Sequence, residues 1–468
     1  MNSKIRIAII GGAGFWANDG HLRNIHKAVV EEPDIEAKVV AIVDPINPKL
    51  QSSKRKEHLE RVLLTDNPLW INTDSHSSAS SVVKALKHLK INLAIIASPP
   101  VYHAEYVLEC IKNDINVVCD KPIVSRKNAS HDTKAASSIS EDLDIICKEY
   151  DKSLLRNPRL LCVSILRRRG LSGFSEVARE LKSVHEASGA GINNMSIVVN
   201  SGKYLHPNEL TINGAHGYHD GIGALSHSAY HYIDILSWYM SIAHGAAQYL
   251  RPRLNHVMRV HDYLESGLYK LTPLFKSSSV QIPQLSDSIL KSELNTSYSI
   301  EILDKNLRLL GNILFTFNQL SYCPRTLPQL SSNLDPGNYA GGGRISNCII
   351  DIHQGAMQNC YIYKNDTVFE PYTLNTKITK HPSLTSNPAT TETNLSIVDP
   401  YENGYTLADA YRDLFSYLSD SKSQMIQSPV LRPLFEERIA TDLYSNFYEL
   451  LSDENNTREI RILNDIQR

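Results

Sequence analysis

The feature that most constrains this chain is a glycine-rich turn directly after its first apolar run. Residues Ile5–Ile10 are apolar and largely β-branched, which is typical of a buried strand. Three glycines follow within the next four residues, and a helical pattern begins at about His21. A strand, a tight glycine turn and a helix in that order form the opening unit of a parallel α/β sheet.

The glycine turn has the pattern GxGxxA when it is read from Gly12 to Ala17, although Gly11 can equally open it. Glycines allow the backbone to approach a pyrophosphate, and the following helix offers its N-terminal N–H groups. Asp44 ends the second predicted strand, where a carboxylate can bind the adenosine ribose and repel a 2′-phosphate. We therefore predict a nicotinamide dinucleotide site, favouring NAD and leaving NADP open. A plain strand-to-helix turn is the alternative. The turn candidates are Gly11, Gly12, Ala13, Gly14, Phe15 and Trp16.

Further apolar runs define two predicted domains. Residues 38–43, 92–97, 116–119 and 160–166 predict strands separated by helices, hence an α/β Rossmann domain with a doubly wound parallel sheet over residues 1–170. Beyond residue 170 the strand patterns lengthen and alternate, at 312–317, 344–353 and 359–363. They predict an α+β domain with a mostly antiparallel open sheet over 171–468, with helices at 407–418 and 431–451. We expect insertions at 243–299 and 373–396, the second a loop because it is rich in Thr, Ser and Asn.

Composition argues against several classes of partner and compartment. Lys and Arg number 48 against 50 Asp and Glu, so nothing in the net charge indicates nucleic acid or an anionic membrane as partner. Seven cysteines without a CxxC pair favour a reducing compartment over a disulfide framework. No apolar run is long enough to span a bilayer, and the first is too short for a signal peptide. We expect a cytoplasmic protein.

Three later segments carry a family resemblance. Residues 97–103 (ASPPVYH) resemble the TP-N-x-x-H turn of the glucose–fructose oxidoreductase/inositol dehydrogenase (Gfo/Idh/MocA) family, with Ser98 for Thr and Pro100 for Asn. Residues 117–122 (VVCDKP) are similar to its E-K-P motif, with Asp120 for Glu. Residues 221–234 (GIGALSHSAYHYID) are similar to its GGGALxDxGxHxxD segment. The strand that ends at Arg168 also resembles the one that leads into the family's second domain.

The resemblance implies an NAD(P)-dependent dehydrogenase that transfers hydride between nicotinamide and a carbon of a sugar, inositol or nucleotide-sugar-like substrate. Lys121 and His231 take the catalytic roles, because a histidine can exchange the hydroxyl proton while a lysine stabilises the oxygen. Further cofactor-binding candidates are Ser98, Pro99, His103, Asp120 and Lys121. The substrate-binding candidates are Lys121, Arg168, Tyr230, His231 and Asp234. The resemblance also implies a homo-oligomer, a dimer or tetramer, that takes a small polyhydroxylated substrate.

One residue departs from the family pattern inside its histidine segment. His227 stands where the family commonly has Asp, four residues before His231. Positions i and i+4 share a helix face, so His227 is a third catalytic candidate. An imidazole cannot supply the fixed negative charge of a carboxylate. Either the proton relay is altered, or another carboxylate such as Asp220 substitutes, or redox activity is lost.

Three other functions remain open on the sequence alone. A glycosidase of this fold uses bound NAD transiently, without net redox change. A sensor or scaffold keeps the dinucleotide site without catalysis. A metal-dependent hydrolase would use the histidine cluster that runs from His206 to His231, although no HExxH motif occurs and we expect no metal. The cluster also contains His216, His219 and His227.

Overall fold

The computed structural model describes most of the chain in two compact units. The described residues are 4–14, 16–45, 67–73, 77–201, 210, 215–268, 284–321, 347–365, 372–384, 389–397, 404–420 and 428–462. The first unit takes in 1–125, 141–170 and 404–437, and the second takes in 126–140, 171–403 and 438–468. Both units are discontinuous in sequence, whereas the single boundary predicted after residue 170 makes each domain continuous.

The first unit is built on a seven-stranded sheet. Its strands are β1 (Ile5–Ile10), β2 (Ala37–Asp44), β3 (Leu69–Asn72), β4 (Leu93–Ile96), β5 (Asn116–Asp120), β6 (Cys162–Ile165) and β15 (Leu431–Pro433). Their order is β15-β6-β5-β4-β1-β2-β3. Strands β1 to β6 pair in parallel, and β15 lies antiparallel to β6 at one edge. The predicted parallel Rossmann sheet is confirmed.

Helices cover this sheet because its strands are apolar on both faces. They are α1 (Arg23–Glu31), α2 (Ala79–His88), α3 (His103–Lys112), α4 (Thr133–Arg156), whose residues from 141 belong to this unit, and α9 (Leu407–Ser419). Helix α9 begins with a capping box between Thr406 and Asp409 and packs against α1. Ile7, Ile95 and Leu414 lie in one buried cluster beneath these helices. The carboxyl-terminal segment thus completes the core of the amino-terminal fold.

The second unit is built on a nine-stranded sheet. Its strands are β7 (Asn194–Asn200), β8 (Tyr249–Arg259), β9 (Glu293–Leu303), β10 (Leu309–Asn318), β11 (Asn347–Gln354), β12 (Gln358–Asn365), β13 (Tyr372–Lys380), β14 (Thr390–Ile397) and β16 (Ile460–Arg461). Their order is β14-β13-β12-β11-β7-β10-β9-β8-β16. All neighbours pair antiparallel except β7 and β10. The prediction of a mostly antiparallel sheet is confirmed.

Helices pack against this sheet, which alternates buried and accessible residues. Met195, Ile197 and Val199 of β7 are fully buried, while the residues between them are not. The helices of the unit are the first turns of α4, then α5 (Ser172–Ser188), α6 (Tyr230–Ile242), α7 (Val260–Glu265), α8 (Asp287–Leu290) and α10 (Arg438–Ser452). Helix α5 packs on β12 and β13, and α10 packs on β8 and α6. Helices therefore cover strands β8, β12 and β13 of this sheet.

Two local predictions are wrong. Residues 373–396 were expected to form a loop, but strands β13 and β14 pair from Tyr372 opposite Ile397 to Thr379 opposite Thr390. Threonine is β-branched and favours a strand that finds a partner, and Leu374 is fully buried there. The helix expected over 431–451 starts only at Arg438, because Pro433 cannot donate a helical hydrogen bond and Leu431–Pro433 pairs with β6.

Candidate functional site

The glycine turn after β1 is fixed by packing at its first two glycines. Gly11 has φ of 85° and donates its N–H to Val43 O at 2.8 Å. A Cβ on Gly11 would lie 2.5 Å from the backbone nitrogen of Ser98, and a Cβ on Gly12 would lie 2.5 Å from a methyl carbon of Ile42. No side chain fits at either position, so the neighbouring strands require both glycines.

Gly14 differs from these two glycines, because the protein around it leaves room for a side chain. Among the described residues, a Cβ there would approach no atom beyond its chain neighbours more closely than Gly11 O at 3.4 Å, and its φ is not positive. Packing therefore does not require glycine at this position. A glycine that leaves the backbone accessible at a strand-to-helix turn fits the approach of a pyrophosphate. Phe15 lies outside the described residues.

Asp44, at the end of β2, braces the glycine turn. Its carboxylate oxygen Oδ2 accepts a hydrogen bond from the Ala13 N–H at 2.9 Å, and the residue is 5% exposed. Asn18 also donates to the turn, to Gly14 O at 2.8 Å. The sequence predicted only a ribose contact for Asp44 and missed this structural role, because the pairing of strands β1 and β2 brings the two residues together.

Asp120, at the end of β5, is held by two side chains from the segment that follows the turn. Its Oδ1 lies 3.2 Å from Trp16 Nε1, which donates to it, and 3.2 Å from His21 Nε2. The other ring nitrogen of His21, Nδ1, lies 2.6 Å from the hydroxyl of Tyr411 on α9. His21 and Tyr411 are fully buried. Sequence reasoning listed Trp16 and Asp120 as candidates but missed His21 and Tyr411.

This arrangement favours the ionised form of Asp120. Burial acts to raise the pKa of Asp120, but the charge and hydrogen bond of His21, with His103 and Trp16, outweigh burial and hold that pKa below its ordinary value. His21 lies in a π-helical turn, Ala17–Leu22, that precedes α1. Such turns are rare and occur frequently at functional sites.

His103 connects the two motif turns of the first unit. Its Nε2 lies 2.7 Å from Ser98 O, and its Nδ1 lies 2.8 Å from Pro122 O. Burial lowers the pKa of His103, although both hydrogen bonds act in the opposite direction. The turn that holds Ser98 and Pro99 is thereby tied to the half-buried Lys121, which follows β5 directly.

The arginines after β6 lie in a short 3-10 turn, Arg167–Gly170. The guanidinium of Arg167 lies 4.8 Å from the centre of the Trp16 ring, a cation–π contact. Arg169 is buried and lies 4.0 Å from the carboxylate of Glu436. Arg168, the substrate candidate, is half-buried between them.

In the second unit, the two histidine candidates lie on consecutive helical segments. His227 lies in a π-helical turn, Leu225–Ala229, and the half-buried His231 lies in the first turn of α6. The two segments are consecutive, so both histidines lie on one helical stretch, and their closeness stays a prediction. His227 is buried, with Nε2 3.3 Å from the hydroxyl of Tyr218 and Nδ1 2.6 Å from Ser228 Oγ.

The other candidates of this segment are buried or already paired. Tyr230 is fully buried and packs edge-on against Tyr444, with ring centres 5.1 Å apart. Asp234 is 1% exposed. Asp220, the carboxylate expected to substitute for the missing family Asp, lies 3.3 Å from the ammonium of Lys127.

A carboxylate that sequence reasoning missed holds the start of this helical segment. Glu293, the first residue of β9, is fully buried. It accepts hydrogen bonds from the N–H of Gly223 at 3.0 Å and of Leu225 at 2.9 Å, and from the hydroxyls of Tyr448 and Ser130. Burial raises the pKa of Glu293, although the hydrogen bonds from Ser130 and Leu225 act to lower it.

The histidine cluster shows no metal-binding arrangement among the described residues. No three His, Cys, Asp or Glu side chains within the described part of the chain are placed to share an ion. His206 and the side chain of His216 lie outside it, and His219 is exposed.

The amino-terminal part of the chain matches a known protein family. The model of an oxidoreductase family with an NAD-binding Rossmann fold matches residues 5–139. Residues 5–139 belong to the Gfo/Idh/MocA family. The family expected from the sequence motifs is confirmed, and this Gfo/Idh/MocA segment is the NAD-binding Rossmann domain of an oxidoreductase. No curated protein sequence shows significant similarity to the chain.

Solved structures share the fold over nearly the whole chain. A levoglucosan dehydrogenase in complex with NADH and levoglucosan is 14% identical with a TM-score of 0.56, covering 99% of this chain and 100% of that one. An NAD-binding oxidoreductase from Klebsiella pneumoniae is 11% identical with a TM-score of 0.55, with the same coverage. The WlbA dehydrogenase from Bordetella pertussis, in complex with NADH and UDP-GlcNAcA, is 14% identical with a TM-score of 0.51, covering 99% of each chain. These likenesses extend the shared fold beyond the Gfo/Idh/MocA segment.

The helices of the described residues were also compared with the length that a bilayer requires. None of them is both long enough and apolar enough to cross a membrane.

Proposed function

We propose that this chain is an NAD-dependent dehydrogenase of a small polyhydroxylated molecule, such as a sugar, a polyol or a nucleotide sugar. The observation that carries the proposal is the glycine turn after β1, where packing requires glycine at Gly11 and Gly12 but not at Gly14. Glycine at this position would let a pyrophosphate approach the backbone, and we assign the absent side chain to that role. The family match over residues 5–139 supports the same cofactor.

The substrate class is supported by the chemistry of the proteins that share the fold. One of them is a complex with levoglucosan and another with a nucleotide sugar, UDP-GlcNAcA. Both ligands carry hydroxyl groups on a sugar ring. The half-buried Lys121 and Arg168 of the first unit are hydrogen-bond donors suited to hydroxyl oxygens.

The proposed chemistry gives roles to four residues. When bound, the nicotinamide accepts hydride from the carbon being oxidised, or returns it in the reverse direction. Lys121 stabilises negative charge on the substrate oxygen, and His231 takes the hydroxyl proton. We assign to Asp234, three residues after His231 on α6, the role of orienting this part of the helix. His227 is already bonded to Ser228 and Tyr218, so it assists rather than exchanges the proton.

The proposal is tested by cofactor titration and by one substitution. NAD and NADH are titrated into the wild-type protein, which is then assayed for NADH formation with panels of polyols, aldoses and nucleotide sugars. Lys121→Ala is expected to lower kcat by about 10²-fold or more, because charge stabilisation at the oxygen is lost. Its Kd for NAD is expected to change by less than about threefold. Lys112→Ala is the matched control, since Lys112 is exposed on α3 and pairs only at the surface with Glu109.

The outcomes separate the remaining alternatives. Failure of the wild-type protein to bind either dinucleotide would remove the proposal. Binding with glycoside cleavage but no net NADH would indicate the NAD-using glycosidase, and binding without any turnover would indicate a sensor. Normal turnover by Lys121→Ala would remove Lys121 from the site.

A further inference from the structure

We propose that Glu293 is a positioning residue for the two histidine candidates, because its buried carboxylate holds the segment that leads into them. The proposal rests on the proposed function, in which His231 exchanges the proton. Glu293 lies on β9, 70 positions along the chain from Gly223. Nothing in the reaction described above uses it.

The carboxylate binds the start of the helical segment at two successive points. Both of its oxygens lie within 3.1 Å of the Gly223 nitrogen, and Oε1 also accepts from the Leu225 N–H at 2.9 Å. These N–H groups lie at the beginning of the helix, where no backbone carbonyl is available to them. A negative group there also interacts favourably with the helix dipole. Glu293 therefore fixes both the position and the direction of the segment.

The remaining contacts of Glu293 anchor it from two other segments. Tyr448 of α10 donates its hydroxyl to Oε1 at 3.2 Å, and Ser130 donates to Oε2. Ser130 O in turn accepts from the guanidinium of Arg259 at 2.9 Å. Because Glu293 is fully buried, water cannot replace any of these donors when the carboxylate is removed.

Strand β9 packs closely against the segment that Glu293 holds. A Cβ on Gly223 would lie 2.1 Å from Glu293 O and 2.8 Å from its carboxyl carbon. The backbone of the turn thus lies directly against the strand. His227 is two residues beyond Leu225, and His231 is six. A displacement at residues 223–225 passes through one π turn to the proton-exchanging imidazole, and a misplacement of about 1 Å can lower a rate about 10²-fold.

The experiment compares three substitutions that differ in what they keep. Glu293→Gln keeps an oxygen for the two N–H groups and Tyr448, and places at the other position an NH₂ that can donate to Ser130 Oγ. Glu293→Asp keeps the charge but withdraws the carboxylate by one methylene. Glu293→Met keeps the volume and removes the acceptor. We expect kcat to fall less than about tenfold in Gln, more in Asp, and about 10²-fold in Met, with KM and the Kd for NAD little changed.

Glu449 offers a matched control in the same unit. It is also buried, and its partners are Ser445 and Asn446 of α10 and the guanidinium of Arg458. Glu449→Gln and Glu449→Met are expected to lower Tm as the Glu293 variants do, with kcat within about twofold of the wild type. Equal kcat losses in the Glu449 and Glu293 series would show a structural effect alone and would overturn the proposal.

A second readout keeps the test independent of turnover and of the most disruptive variant. Histidine ring resonances of His227 and His231 are assigned by NMR in selectively labelled full-length protein. They are expected to move in Glu293→Asp and to stay near the wild-type positions in Glu293→Gln. If Glu293→Met does not fold, the order of Asp and Gln decides, and a kcat lower in Gln than in Asp would overturn positioning. If the wild type binds no NAD, the proposed function fails while the ring resonances still decide this inference.

Discussion

Two glycine-rich segments, one in each unit, use the same local construction. Residues 11–22 and 221–231 each contain two glycines that cannot carry a Cβ, then a π-helical turn, and then lead into an α-helix; these glycines are Gly11 and Gly12, and Gly221 and Gly223. Each π turn holds a buried histidine beside a tyrosine hydroxyl, 2.6 Å away in His21–Tyr411 and 3.3 Å away in His227–Tyr218. The glycines and the histidine are spaced differently in the two sequences. The likeness therefore reflects a common physical way to place a histidine at the start of a helix.

The segments differ in what meets their backbone. In the second, the N–H groups of Gly223 and Leu225 are taken by the chain's own Glu293. In the first, Asp44 takes the Ala13 N–H, and the half-buried Gly14 has room among the described residues where a Cβ would stand. A helix start that binds an internal carboxylate is a fixed anchor, whereas one with an open glycine receives an external anion. The difference supports the two proposals, ligand binding at the first segment and positioning at the second.

The largest predicted effect separates the required glycines from the open one. Gly11→Ala places a side chain at positive φ and against the backbone of Ser98, and Gly223→Ala places one against Glu293. Each is expected to cost about 3 kcal/mol or more in the free energy of unfolding. Gly14→Ala is expected to change it by less than about 1 kcal/mol while raising the Kd for NAD about tenfold. Chemical denaturation and NAD titration check both. A Gly14→Ala variant that binds NAD normally would end the comparison.

How far the sequence could foresee this depends on how local each interaction is. The turn at residues 11–14 and the Lys121-Pro122 corner each consist of consecutive residues, so the sequence pattern and the family resemblance could predict them. The partners that complete the sites are not: Tyr411 lies 390 positions from His21, and Glu293 lies 70 from Gly223. Strand pairing and helix packing bring them together, and a single sequence carries no record of that.

Two further features could not be predicted from the local sequence pattern, for a different reason. The π turns at Ala17–Leu22 and Leu225–Ala229 have i→i+5 hydrogen bonds, which the sequence pattern does not distinguish from an ordinary helix start. The Thr-rich residues of β13 and β14 form strands because β12 offers a partner edge, running from Gln358 opposite Lys380 to Asn365 opposite Thr373. Composition alone predicted a loop there, since turns and exposed strands use the same polar residues.

A smaller effect tests the role of Asp44, whose carboxylate braces the first segment. Asp44→Asn keeps an oxygen that accepts from the Ala13 N–H and removes the charge, so the free energy of unfolding is expected to change by less than about 1 kcal/mol. The preference for NAD over NADP is expected to fall about tenfold, because a 2′-phosphate is no longer repelled. Titration with both dinucleotides measures it, with Asp34→Asn, an exposed position before β2, as the control. An unchanged preference would leave Asp44 with the bracing role only.

The smallest effect is a difference in sign between Asp120, which contacts His21 of the first segment, and Glu293, which holds the backbone of the second. The lowered pKa of Asp120 gives stability that is present above the ordinary carboxyl pKa of 3.8 and is lost as pH falls through the folded-state value. The raised pKa of Glu293 gives stability that is present below 4.5 and is lost as pH rises through the folded-state value. Relative to Asp120→Asn, the wild type should therefore lose stability on acidification. Relative to Glu293→Gln, it should lose stability as the pH is raised. Urea denaturation of the three proteins from about pH 3 to about pH 7 measures both differences. If the two stability differences change with pH in the same direction, the interaction of Asp120 with His21 does not lower the pKa of Asp120. Glu293 is the comparison, because its hydrogen-bond donors are all neutral.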